Sequence, residues 1–123
     1  MRTLGALVFC VLALARGDYE PPAPRTIEVA KGVYLFVSQP YGDVGLDGNA
    51  VAIVGNTGVL VFDTNGTPAS AAQVLAAIRT ITTTPVRFVV NSHWHWDHWY
   101  GTAVYTRAFR RPCRTSEPSA SVS

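Results

Sequence analysis

The sequence predicts an α/β fold in which a mixed β-sheet is covered by helices. Three observations favour this class. Short runs rich in β-branched residues alternate with glycine-rich turns, one amphipathic helix separates two such runs, and the most apolar runs lack a polar face. With 123 residues the chain is long enough for one domain and not for two.

Three strands are predicted in the first half of the chain. The run Val33–Val37 is β-branched and aromatic and follows a Lys-Gly turn. A loop with three glycines then leads to a second strand at Ala50–Val54, and the turn at 55–58 has the Gly-Asn-Thr-Gly chemistry of a hairpin. The third strand, Val59–Phe62, is apolar on both faces and is therefore expected to be central and buried.

A helix and a fourth strand follow. Thr67 is a good N-cap with proline next to it, and Val74, Leu75, Ile78 and Ile81 fall on one helical face, so a helix is predicted to end before Thr82. The apolar run Val86–Val90 is the fourth strand and is expected to be buried. A strand, a helix and a strand in this order imply a right-handed crossover that lays the helix on the sheet.

The amino-terminal end predicts export. Residues 1–15 combine Arg2, an apolar stretch and the small-x-small sequence at 13–15, which is typical of a signal peptide cleaved near Ala15. The stretch is too short to cross a bilayer, so no stable membrane anchor is expected after cleavage. A proline-rich linker is predicted at 16–26, and the expected localisation is periplasmic or secreted.

Charge and cysteine content exclude other classes. The formal net charge is +2, but residues 16–106 carry a net charge of −2, and a nucleic-acid partner needs a basic face on the folded domain. Two cysteines exclude a disulfide-rich scaffold, and one of them lies in the predicted signal peptide. We therefore expect a small-molecule substrate and no nucleic-acid partner.

The segment His93-Trp94-His95-Trp96-Asp97-His98 contains every histidine of the chain. Imidazole nitrogens and a carboxylate oxygen are ligands that zinc prefers, although other divalent transition metals accept the same groups. In an extended segment His93 and His95 lie on one side, and a turn after His95 would bring Asp97 and His98 to the same cavity. The pattern predicts a metal site for zinc or another divalent transition metal. The neighbouring aromatic residues are expected mainly to pack in the core, with a substrate cleft as the alternative.

The run HWHWDHWYG resembles the HxHxDH signature of the metallo-β-lactamase superfamily, and an aspartate after a central strand, here Asp63, also fits that family. The resemblance spans residues 27–109. It implies the amino-terminal half of an αββα sandwich, with one or two zinc ions. By resemblance, His93 and His95 bind a first metal, whereas Asp97 and His98 bind a second.

The resemblance also implies roles in hydrolysis. Asp97 is the expected catalytic residue, because it orients a metal-activated water that attacks a carbonyl or ester-type carbon. Asp63 is expected to steady the metal loop from behind the ligands, or else to cap the strand end.

The pattern of the family breaks after the motif. No histidine follows His98, and residues 110–123 are rich in Arg, Ser and Pro, which predicts a disordered tail. The abrupt change at Phe109 is typical of a frameshift, with a natural short form as the alternative. We therefore expect a partial domain at 27–109 with an uncovered inner sheet face and impaired hydrolysis. The alternatives are a non-catalytic metal-binding fragment and an inactive exported remnant.

Overall fold

A five-stranded mixed sheet carries the fold in the computed structural model, which describes residues 20–43 and 45–109. The predicted signal peptide, the first part of the predicted linker and the predicted tail at 110–123 lie outside the described residues. The elements in chain order are β1 (Arg25–Ala30), β2 (Val33–Val37), β3 (Ala50–Val54), β4 (Val59–Phe62), α1 (Pro68–Ile81), β5 (Val86–Val90), α2 (Trp96–Trp99) and α3 (Thr102–Phe109).

The strands lie side by side in chain order. The pairs β1–β2, β2–β3 and β3–β4 are antiparallel, whereas β4 and β5 are parallel because α1 carries the chain back across the sheet. The predicted α/β class with a mixed sheet is confirmed. The strand β1 was not predicted from the sequence; it begins at Arg25 and so overlaps the end of the predicted linker.

The helix α1 forms where its capping residues predict. The Thr67 side chain accepts a hydrogen bond from the backbone N–H of Ser70 at 3.1 Å, and Pro68 occupies the first turn, where no intrahelical donor is needed. Val74, Leu75 and Ile78 are buried on one face of the helix. Among the described residues, no helix is long and apolar enough to cross a membrane.

One face of the sheet holds the core. Phe36, Val59 and Val61 point to this face and are fully buried with Val74 of α1 and Tyr105 of α3. Burial of large apolar side chains on this face provides the main stabilisation of the fold.

The opposite face of the sheet is apolar and uncovered in the described part of the chain. Leu60 pairs with Phe88, and Phe62 pairs with Val90, so these side chains form adjacent rows across the parallel strands. Phe62, Phe88 and Val90 are exposed. Among the described residues nothing covers these side chains, in line with the expected uncovered sheet face. The expected burial of β4 and β5 is wrong for this face, because no described layer packs against it.

Candidate metal site

The parallel pair β4–β5 positions the site. Carboxyl ends of parallel strands meet at one edge of a sheet, and here the backbone N–H of Asp63 donates to the carbonyl of Val90 at 2.8 Å. The histidine segment starts three residues after the end of β5 and turns into α2. Its far end is attached to the β4 side, where the backbone N–H of Thr64 donates to the carbonyl of His98 at 2.8 Å.

Asp63 is the buried anchor of this loop, with 6% of its surface exposed. Its Oδ1 accepts from the backbone N–H of Ser92 at 2.6 Å, and its Oδ2 lies 2.9 Å from Ser92 Oγ and 2.8 Å from His98 Nδ1. The backbone of Asp63 is left-handed, with φ of 62°, a conformation that aspartate tolerates better than most residues.

The hydrogen bonds to Asp63 decide its charge state. Burial alone would raise the pKa of the carboxyl group, but the hydrogen bonds from the Ser92 backbone, the His98 ring and the Ser92 hydroxyl outweigh it, so the pKa lies below its ordinary value. An ionised Asp63 accepts hydrogen bonds and donates none, which fixes a proton on His98 Nδ1 and directs His98 Nε2 away from the anchor.

The four predicted ligands lie together as two pairs. His93 Nε2 is 2.9 Å from His95 Nδ1, and His98 Nε2 is 3.2 Å from Asp97 Oδ2. The His93 ring of the first pair lies next to the His98 ring of the second pair, with the ring centroids 4.2 Å apart. The pairs match the first-metal and second-metal assignments that the resemblance implies, although the roles of these residues stay predictions.

The donor set fits zinc in kind. The 3.2 Å between His98 Nε2 and Asp97 Oδ2 is close to the spacing of two zinc ligands, whereas the 2.9 Å between the His93 and His95 nitrogens is that of a hydrogen bond. Two ligand atoms on one tetrahedral zinc lie about 3.3 Å apart when each bond is roughly 2.0–2.1 Å long. The set does not reach the full number, because no group of three or more His, Cys, Asp or Glu side chains among the described residues is arranged to hold a metal ion. Each pair therefore supplies two of the three protein ligands that a catalytic zinc site usually has.

The pair of Asp97 and His98 also fits a cation by its hydrogen-bond balance. With the Nδ1 proton of His98 donated to Asp63, a ring without a second proton would present a bare Nε2 to the acceptor oxygen of Asp97. Two acceptors at this distance repel each other unless a proton or a cation lies between them.

Two glycines in preceding loops leave space for the histidine loop, and the sequence did not predict this role. A Cβ on Gly48 would overlap the carbonyl oxygen of Asp97, and one on Gly66 would overlap the Trp96 ring. Ser92 was also missed, although its place between a buried strand and the first histidine is a signal that could have identified it. The loops at 47–48 and 64–66 thus hold the histidine loop in position.

The aromatic residues of the loop lie at the surface, so the expected core packing is wrong for them. Trp94 is 81% exposed, and Trp96, Trp99 and Tyr100 are exposed as well. Trp94 stands edge-on to the His95 ring, with centroids 4.5 Å apart, and its carbonyl accepts from Trp99 Nε1 at 2.7 Å. The reason is that the loop emerges from the sheet edge, where the described chain provides no apolar layer against which these rings can pack.

Residues 43–112 match the metallo-β-lactamase superfamily, which is more than half of the chain. The chain therefore belongs to this superfamily, as its motif predicted. Among curated proteins, none matches the sequence.

Similar solved structures share the fold. The metallo-β-lactamase FIM-1 of Pseudomonas aeruginosa in its mono-zinc form has a TM-score of 0.62 at 19% identity, over 72% of this chain and 40% of that one. A metallo-β-lactamase of Erythrobacter litoralis has a TM-score of 0.59 at 25% identity, over 71% and 39%. The inverting sec-alkylsulfatase Pisa1 of a Pseudomonas species has a TM-score of 0.55 at 28% identity, over 67% and 12%. The matched part of this chain thus spans 40% or less of each of these proteins.

Proposed function

We propose that this chain supplies the first half of the active site of an exported, zinc-dependent hydrolase. The observation that carries the proposal is the arrangement of His93/His95 and Asp97/His98 as two donor pairs above the buried carboxylate of Asp63. Superfamily membership and zinc in a structural neighbour support it. Export rests on residues 1–15 and stays a prediction.

Each residue would have a role that follows from its position in the site. His93 and His95 would hold one zinc ion, and Asp97 with His98 would hold a second. Bound zinc lowers the pKa of a water molecule and polarises a carbonyl or ester oxygen. Asp97 is half-buried, and its carboxylate can orient a water molecule and accept its proton. Asp63 keeps His98 oriented from the opposite side.

The number of donors favours a second candidate, a metal-binding fragment that does not catalyse. Two donors in each pair leave a zinc ion short of one protein ligand among the described residues. Full activity then requires ligands from outside the described residues. The substrate class stays open between amides and sulfate esters, because the structural neighbours include both β-lactamases and an alkylsulfatase.

Zinc titration of the metal-stripped full chain by calorimetry, followed by hydrolysis assays, tests the proposal. We expect zinc binding that His95→Ala weakens at least tenfold, since one of two donors of a pair is lost. The control Gln73→Ala shortens a half-buried side chain of α1 that donates to Glu20 and is not among the proposed ligands, so it should leave binding unchanged.

A chromogenic cephalosporin and a secondary alkyl sulfate ester, the latter followed by sulfate release, probe the two substrate classes. Zinc-dependent hydrolysis that disappears in His95→Ala supports the hydrolase, whereas zinc binding without turnover of either probe supports the metal-binding fragment. Hydrolysis that survives both chelation and His95→Ala contradicts both.

A further inference from the structure

The Ser92 hydroxyl lies between the buried anchor and the first ligand of the loop. Its Oγ is 2.9 Å from Asp63 Oδ2 and 2.8 Å from His93 Nδ1. The backbone N–H of the same residue donates to the other oxygen of Asp63 at 2.6 Å. Ser92 is therefore fixed at two points on the carboxylate and reaches His93 with its remaining hydrogen-bonding capacity.

Proton counting decides the direction of these bonds. A serine hydroxyl carries one proton and two lone pairs, whereas an ionised carboxylate only accepts. Between Ser92 Oγ and Asp63 Oδ2 the proton must come from the serine, because otherwise lone pairs would face each other at 2.9 Å. With that proton used, the short contact to His93 needs a proton on His93 Nδ1.

The consequence appears on the other side of the ring. A neutral imidazole that carries its proton on Nδ1 has a bare Nε2, and this is the atom of His93 that faces His95 Nδ1 at 2.9 Å. We propose that Ser92 is a positioning residue that transmits the charge of Asp63 to His93, fixing the Nδ1–H tautomer and keeping Nε2 free for a divalent metal ion. Asp63 thus orients both pairs, His98 directly and His93 through Ser92.

The inference deepens the proposed metal site, but its primary test needs neither metal nor turnover, so it can fail separately. Long-range proton–nitrogen NMR correlations of the 15N-labelled full chain identify which ring nitrogen of each histidine carries the proton. The metal-free protein is measured at about pH 8, above the ordinary imidazole pKa of about 6.5. We expect His93 to carry its proton on Nδ1.

Ser92→Ala removes the hydroxyl and keeps the backbone bond to Asp63. We expect His93 to move towards the Nε2–H tautomer, while His98, bound directly to Asp63, keeps its proton on Nδ1. Ser92→Thr restores the hydroxyl and should restore the wild-type tautomer. The control Thr80→Ala removes a hydroxyl that bonds only within α1, to the carbonyl of Ala77, and should change neither ring.

Zinc affinity provides a second readout. Removing a group that orients a ligand typically weakens metal binding by about 10–100-fold, so we expect at least a tenfold loss in Ser92→Ala and none in Thr80→Ala. A wild-type His93 protonated on Nε2 overturns the proposal, and that measurement needs no variant to fold. An unchanged His93 tautomer in Ser92→Ala overturns it equally.

Discussion

The substitution Asp63→Asn removes the negative charge of the Asp63 side chain and keeps its shape. Asparagine has nearly the same size and also tolerates the left-handed backbone of this position, so the turn itself should be kept. The amide oxygen can still accept from the Ser92 backbone. The amide nitrogen, however, donates where Oδ2 accepts now, so His98 must give up its Nδ1 proton to remain bonded.

The size of the effect follows from the bonds that change. Oδ2 takes part in two hydrogen bonds, at 2.8 and 2.9 Å, and hydrogen bonds to a charged group contribute about 1.5–3 kcal/mol each. Because the asparagine amide can still form part of these hydrogen bonds, only part of their contribution is lost. We therefore expect the free energy of unfolding at neutral pH to fall by roughly 2 kcal/mol. Transfer of the His98 proton to Nε2 blocks a ligand atom, so zinc affinity should fall at least tenfold.

The pH dependence gives an independent check. The pKa of Asp63 is lowered in the folded chain, so its carboxylate contributes stability that is fully present above the ordinary value of about 3.9 and is lost as pH falls through the lowered folded-state pKa. Asp63→Asn should lack this acid-side loss of stability.

Urea unfolding from neutral pH down to about pH 2, with exposed Asp43→Asn as the matched control, measures the effect. If Asp63→Asn is as stable as wild type at neutral pH and loses stability in acid to the same extent, the charge of Asp63 does not stabilise the loop.

Two further predictions concern packing. Gly101→Ala places a Cβ against the carbonyl oxygen of Thr64 and within 2.5 Å of the Ala71 Cβ, so thermal unfolding should show a loss of roughly 1–3 kcal/mol from overpacking; unchanged stability would show that α3 can move away. Phe88→Ser on the uncovered face, where Phe88 is 61% exposed, should change stability by less than about 0.5 kcal/mol, whereas Phe36→Ala in the core should cost about 3–5 kcal/mol. Equal losses from both would mean that a further layer covers the sheet.

Local pattern was sufficient for most of the fold. The predicted strands at 33–37, 50–54, 59–62 and 86–90 have the bounds that the structure shows, because β-branched runs between glycine-rich or proline-containing turns leave few alternatives. The strand β1 escaped prediction because Ile27 and Val29 are its main apolar residues and prolines precede it closely. Its pairing with β2, which is a tertiary contact, defines it as a strand.

For the site, too, some features follow from the sequence and others only from the tertiary structure. The sequence by itself determined which side chains are available to a metal, because three imidazoles and a carboxylate within six positions are a property of composition and spacing. Only the tertiary structure decided how they are oriented. The contacts from Asp63 to Ser92 and His98 span 29 and 35 positions of the chain and exist because parallel pairing of β4 with β5 brings both strand ends to one edge. Burial and hydrogen-bond direction depend on such long-range contacts, which no local pattern contains.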